Sequence, residues 1–366
     1  MKKLFKKKST RTSFITYAVV VAVFLYLQIR NATGGLSSTM AGQLVPICAW
    51  SIMALSLNLT VGVLGELSLG HAGFMSIGAF TGAITAAVIR FQSGGAAGGA
   101  LTLIASVAVG AVFAGIAGVL IGIPVLRLKG DYLAIVTLAF GEIIRALINV
   151  FYVGIDKNGL HISFLNTENL SLDAGGKLIL NGASGISGIQ KISTFFAGFV
   201  LIMLCLIVIF NFVNSRSGRA VMAIRDNRIA VDSIGIPATR YKLLAFVISA
   251  TLAGMGGALF ALGQNSIVAS KFDFNTSILI LVFVVLGSQG NMLGSIIAAS
   301  VLTVLPELPF MRGFKDYRML IYAIILILVM IFKNNPTLKR FMQKLFPFAE
   351  LKKRFAKKAE GGGNDG

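Results

Sequence analysis

The sequence predicts an all-α polytopic membrane protein, a bundle of eight to ten transmembrane helices in one domain. Three observations carry that prediction. Of 366 residues, 56% are hydrophobic and 13% charged, whereas a soluble domain carries about 25% charged residues. Several apolar runs are long enough, at about 1.5 Å of rise per residue, to cross a hydrocarbon core about 30 Å thick. The basic residues are segregated as well. Lys2, Lys3, Lys6, Lys7, Lys8 and Arg11 precede the first apolar run, and Arg216, Arg219, Arg225, Arg228, Arg240 and Lys242 mark one internal loop. A third group runs from Lys333 to Lys358. The longest polar loop, 154–191, instead balances Lys157, Lys177 and Lys191 against Asp156, Glu168 and Asp173. Basic segments of membrane proteins stay cytoplasmic. The net charge of +19 would also suit nucleic acid, but a phosphate-binding surface gives no reason for this segregation. The partner of most of the surface is lipid, not nucleic acid.

In chain order, the pattern begins with a basic cytoplasmic N-terminus, 1–13, and an uncleaved first span, 14–29, with no small-residue cleavage signature after it. Further apolar runs fall at 42–63, 68–90, 100–124 and 131–153, followed by the neutral external loop 154–191. Span 193–213 returns the chain to the cytoplasmic loop 214–241. Runs at 242–263, 274–287, 291–309 and 317–333 complete the permeation-sized domain 14–333, and 334–366 is a basic cytoplasmic tail. Both termini inside require an even number of crossings. Splitting 274–309 at Gly287-Ser288-Gln289-Gly290-Asn291 gives ten; a re-entrant hairpin there gives eight.

Small residues recur every fourth position in two runs: Ser106, Gly110, Ala114, Gly118 and Gly122, and Ser249, Ala253, Gly257 and Ala261 beside Ala250, Gly254 and Ala258. In lipid such stripes let helix backbones approach closely, so they predict a compact bundle rather than a binding site. Cys48 and Cys205 lie in apolar runs, without metal-ligand or disulfide spacing. His71 and His161 sit in different kinds of segment, so no metal centre is predicted. No phosphate-binding Gly-x-x-x-x-Gly-Lys-Ser/Thr loop occurs, so the chain is read as a non-enzyme that binds no cofactor.

Ionisable residues within the membrane are costly and mark candidate functional positions. Glu142 and Arg145 are i,i+3 neighbours able to pair on one helix face. Glu66 lies at the break between two runs. The cytoplasmic loop from Ser217 to Ile236 reads as one short amphipathic helix ending at Gly235, with Val221, Ile224, Arg225, Arg228 and Asp232 at helical spacing. Such a helix can meet a soluble motor or lie on anionic lipid.

Five blocks in order resemble the LivM-type branched-chain amino-acid permeases of ATP-binding-cassette importers. They are Leu55-Ser56-Leu57-Asn58-Leu59 with Leu67-Ser68-Leu69-Gly70-His71-Ala72-Gly73-Phe74; Gly130-Asp131-Tyr132 through Gly141-Glu142-Ile143; the loop Gly218–Ile236; Lys242-Leu243-Leu244-Ala245-Phe246; and Val284-Val285-Leu286-Gly287 with Leu305-Pro306-Glu307. The resemblance implies a bacterial inner-membrane subunit paired with a LivH-type sister permease. It also implies two cytoplasmic ATPases, which would use ATP and Mg, and an extracytoplasmic solute-binding protein. The implied substrates are leucine, isoleucine and valine, or related solutes such as other amino acids, urea or short amides; a gradient-driven carrier is the rival reading. The loop would be the coupling segment, with Arg219, Arg225, Asp226, Arg228, Asp232 and Gly235 at the ATPase contact. The translocation path would involve Glu66, Ser68, Gly70, His71, Gly73 and Glu142, with Gly287, Gly290 and Asn291, because the ends of broken helices can bind amines and carboxylates. The chain departs from the family pattern at Arg228, where an acid is common, and at Val153–Leu160.

Overall fold

A computed structural model describes residues 2–35, 37–94, 99–128, 130–157, 159–164, 170, 176–307, 320–324 and 327–328. The chain divides into two units, Met1–Gly313 and Phe314–Gly366. Of the second, residues 320–324 and 327–328 are helical; the remainder of the expected 317–333 span and the basic tail lie outside the described residues. All that follows concerns the first unit.

Its helices are α1 (Lys2–Ala32), α2 (Ser38–Asn58), α3 (His71–Gln92), α4 (Gly99–Val125), α5 (Asp131–Val150), α6 (Phe195–Asn214), α7 (Arg216–Asp226), α8 (Arg228–Ser233), α9 (Ala238–Ala261), α10 (Phe274–Gly287) and α11 (Met292–Val304). The strands β1 (Phe151–Asp156), β2 (Gly159–Phe164), β3 (Lys177–Asn181), β4 (Ile186–Ser187) and β5 (Ser266–Ile267) form one sheet in the order β2-β1-β3-β4-β5. Among the described residues, eight helical segments are long and apolar enough to cross a membrane, and Met292–Glu307 is a shorter apolar one. The all-helical membrane class therefore holds for the spanning part.

Caps set many of the helix starts. Side chains of Ser37, Thr194, Ser215, Asn227, Asp273 and Asn291 each accept a backbone N–H of the first helical turn, satisfying donors that a helix start leaves without an internal partner. The turn expected between Gly287 and Asn291 is present, joining α10 to α11.

The two small-residue stripes meet each other. Gly118 lies against Ala250, Gly110 against Ala258, and Gly254 against Ala114. Helix α3 completes the layer, because a Cβ on Gly78 would run into the backbone of Gly254. Helices α3, α4 and α9 thus share a dry core, built by the close approach that small residues allow in lipid. Cys48 and Cys205 are buried in the adjoining apolar cluster.

Two expectations are corrected here. The neutral loop 154–191 carries strands that its sequence pattern does not announce: β1 and β2 pair antiparallel from Phe151↔Phe164 to Asp156↔Gly159, and β3 and β4 extend the sheet. The fifth span consequently stops at Val150, not 153. Alternation of Phe151, Val153 and Ile155 puts one row of side chains against the bundle, which is the strand period of two. The second correction is the loop helix, which is two helices and not one. Asn227 adopts extended backbone (φ −157°, ψ 99°), and its side chain accepts the Ala230 N–H. Asparagine competes for backbone donors in this way and so favours a cap over a helix interior.

Candidate functional site

Helix α2 does not end cleanly. Its last residues, Leu59–Leu64, wind as a π-helix that closes at Gly65 in the left-handed region (φ 80°). Single π turns of this kind often stand at functional positions. The chain then runs without regular secondary structure from Gly65 to Gly70 before α3 begins at His71. This break gathers most of the buried polar groups of the molecule.

At its first corner, Asn58 holds the α10–α11 turn: its Nδ2 donates to Ser295 Oγ at 2.9 Å, and its Oδ1 accepts the Gly290 N–H at 2.7 Å. Gly290 sits at φ 81°. A Cβ on Gly62 would run into the Gly290 backbone, so the π turn and the α10–α11 turn touch main chain to main chain. Deeper, Thr60 Oγ1 donates to Ser249 Oγ at 2.8 Å, and Ser249 Oγ donates to the Ser56 carbonyl at 2.5 Å. Ser56 Oγ donates to the Met53 carbonyl and lies 2.8 Å from His71 Nε2. Which of that pair donates depends on the imidazole tautomer.

Each predicted path residue can now be placed. Glu66 forms an ion pair with Lys242 in the first turns of α9, both side chains largely buried. Ser68 and His71 are buried, and Ser68 Oγ and His71 Nδ1 have no hydrogen-bond partner among the described residues. Gly70 and Gly73 pack on α5, against Thr137 and Gly141, and Thr137 Oγ1 accepts the Leu69 N–H at 3.1 Å. Glu142 pairs with Arg145 at 2.6 Å, as the spacing suggested, at a half-exposed position. Gly287 packs against Gly294 and Ser295, and Asn291 caps α11. Apart from the Glu142–Arg145 pair, which stands on the α5 surface, these residues gather in one polar junction, from Thr137 of α5 through the break to the α10–α11 turn. Cavities of about 480 Å³ and 450 Å³ lie elsewhere, the first among α1, α2, α6 and α11, the second beside the sheet.

The loop residues separate into two groups. Arg225 turns inward: Nη1 donates to the Gly62 carbonyl at 2.9 Å, and its stem lies on Gly65. The same guanidinium holds Asp226 at 3.0 Å. Arg219 donates to the Asn214 carbonyl at 2.7 Å, closing the end of α6. Arg228 and Asp232 face each other at 3.6 Å on α8. Gly235, at φ 75°, ends that helix, with the Ile236 N–H reaching back to the Val231 carbonyl, a glycine-terminated helix end. Val221, Ile224 and Val231 are buried beneath the pair. Ile229 and Ile234, 83% and 71% exposed, project from α8.

Sequence reasoning overlooked Asn58, Ser249 and Ser295 as site residues and gave Lys242 no partner. A polar residue inside an apolar run was the available signal for Asn58. Nothing in the sequence marks Ile229 and Ile234 apart from other apolar residues of an amphipathic segment.

Over residues 39–330 the chain matches the family described as branched-chain amino acid transport system / permease component. It is 37% identical over 292 residues to the high-affinity branched-chain amino acid transport system permease protein LivM of Escherichia coli, covering 77% of this chain and 66% of that protein. The protein of the same description from Salmonella typhimurium matches equally. The fructose import permease protein FruG of Bifidobacterium longum is 26% identical over 163 residues, 40% of this chain and 46% of that protein. The chain thus aligns with 66% of the length of its LivM relatives.

Proposed function

The chain belongs to the family of permease components of branched-chain amino acid transport systems, and from that premise we propose that it is the membrane-spanning subunit of an ATP-binding-cassette importer. Its solutes are leucine, isoleucine and valine or a related small polar solute. The observation that carries this reading is the unbroken family match across 39–330, which includes both the polar junction and the basic loop. The fructose permease among the relatives favours a second reading, the same machine acting on another polar solute.

In the proposed assembly a LivH-type sister permease completes the membrane core, and two ATPases bind at the basic loop. The ATP and Mg belong to those subunits. A solute-binding protein delivers from the opposite side, at the sheet. Basic loops stay cytoplasmic, so both termini and the loop face the cytoplasm of a bacterial inner membrane. Ile229 and Ile234 supply the apolar tip that enters an ATPase groove, with Arg219, Asp226, Arg228 and Asp232 around it. Exposed apolar side chains rimmed by charge suit such a contact.

ATP-driven motion of the loop opens the junction along the break, so that Ser68 and the start of α3 at His71 face the solute. The amine of an amino acid meets His71 Nδ1, which has no partner among the described residues, and its carboxylate meets the N-terminus of α3, where the helix dipole favours negative charge. The experiment is uptake of labelled leucine, isoleucine and valine into proteoliposomes holding the complete complex, with ATP on the loop side. The reading predicts uptake only with every subunit and ATP present. Uptake by this chain alone, driven by an ion gradient, contradicts it.

A further inference from the structure

We propose that the π turn Leu59–Leu64 is the junction through which movement of the basic loop reaches the α10–α11 turn, and that Arg225 is the residue that positions it. The inference rests on the importer reading for its functional sense and on geometry for its parts.

A helix end leaves its last carbonyls without internal partners. The Gly62 carbonyl is one of these, and it takes its partner from a side chain on another element, 163 residues away. That donor is a guanidinium, so the bond is charge-assisted and stronger than a neutral one. The far side of Gly62 is in backbone contact with Gly290, and Asn58, one turn earlier, grips both Gly290 and Ser295. Gly62 therefore stands between α7 and the α10–α11 turn, with no side chain of its own to cushion either contact.

A second tie runs parallel. The chain leaves the π turn through Gly65 to Glu66, and Glu66 is ion-paired to Lys242, where α9 emerges from the same loop. The loop thus holds the break at two points, Gly62 through Arg225 and Glu66 through Lys242. A rigid-body shift of α7 cannot occur without displacing the π turn or breaking the Arg225 tie, and one that carries the start of α9 with it strains the Lys242 tie as well. A π turn can respond because its hydrogen bonds can re-register to the α pattern within one turn. The adjoining polar junction supplies alternative donors and acceptors when they do.

This gives Arg225 a different task from Arg228, although both are loop arginines three residues apart. Among the described contacts Arg228 pairs with the exposed Asp232 on its own helix and does not reach the break. Arg225 links the loop to the membrane-embedded turn. Its role is to position the π turn, not to contact a motor or a solute.

The test reads hydrogen exchange in the full chain in nanodiscs, comparing wild type with Arg225→Met and Arg225→Lys. Loss of a charge-assisted bond raises local opening by about tenfold. We expect that increase in amides 62–66 and 288–291 of Arg225→Met, a smaller one in Arg225→Lys, and none in β1 or β3. Unchanged exchange at 288–291 overturns the link. A rise throughout the molecule in both variants also overturns it, because Arg225 would then be a general structural support. In the reconstituted complex, Arg225→Met should lower leucine imported per ATP hydrolysed by about tenfold, and an unchanged ratio overturns the transport role. If the wild-type complex neither imports a solute nor hydrolyses ATP, the importer reading fails while the exchange result still decides the link.

Discussion

The inward and outward faces of the basic loop obey different physics, although the same eighteen-residue stretch supplies both. The inward face buries Val221, Ile224 and Val231 and sends Arg225 to a membrane-embedded carbonyl, while Lys242 just beyond it closes on Glu66. The outward face carries Ile229, Ile234 and the Arg228–Asp232 pair, with little packed against them. On the inward face the Glu66–Lys242 pair is largely desolvated and therefore energetically consequential, whereas Arg225 stays partly exposed and matters through the carbonyl it reaches. The Arg228–Asp232 pair is partly exposed, joins two residues of one helix, and contributes little to stability. The comparison teaches that a basic cluster is not a single object. Its members divide according to the partner each head group meets.

Substitutions sharpen or break this division. The largest effect is expected at Lys242→Met, which leaves the Glu66 carboxylate buried without its partner and costs about 4 kcal/mol. Combining it with Glu66→Gln should restore most of that loss in thermal unfolding of the purified chain; a double variant as unstable as the single one would remove the ion pair from the account. Next comes Ile224→Ala, a cavity between α7 and α9 worth about 3 kcal/mol. Arg225→Met should cost about 1.5 kcal/mol, since one charge-assisted bond is lost from a partly exposed side chain. Smallest is Arg228→Met, at about 0.3 kcal/mol or less for an exposed i,i+4 pair. Equal destabilisation by Arg225→Met and Arg228→Met would erase the distinction between the faces.

Much of the fold was legible because lipid imposes simple rules. Span length, small-residue stripes and the α10–α11 turn follow from apolar runs and their glycine breaks, and the Glu142–Arg145 pair follows from i,i+3 spacing. The sheet was not legible as such. Its strands are two to six residues long, and β5 joins from the far side of α6 to α9, so no local pattern announces the pairing. The break at Asn227 had a signal, a capping residue within the amphipathic run, that periodicity alone outweighed.

The candidate site was half visible for a related reason. Glycines and the histidine of the break stand out in the sequence, but what they meet does not. Glu66 and Lys242 are 176 residues apart, and Asn58 and Ser295 are 237 apart. The contact of Arg225 with Gly62 is invisible in the sequence because its partner is a main-chain carbonyl, a group that every residue carries and no sequence pattern distinguishes. Residue type identified the charged and broken positions; only the packed chain divided them by direction.

The most direct test of that division is capture of the partner ATPases by the solubilised membrane complex. It compares wild type, the double variant Ile229→Asp with Ile234→Asp, and Arg225→Met. The account predicts that the isoleucine variant loses the ATPases while remaining as stable as wild type, and that Arg225→Met retains them. Loss of the ATPases from Arg225→Met, or their full retention by the isoleucine variant, would contradict it.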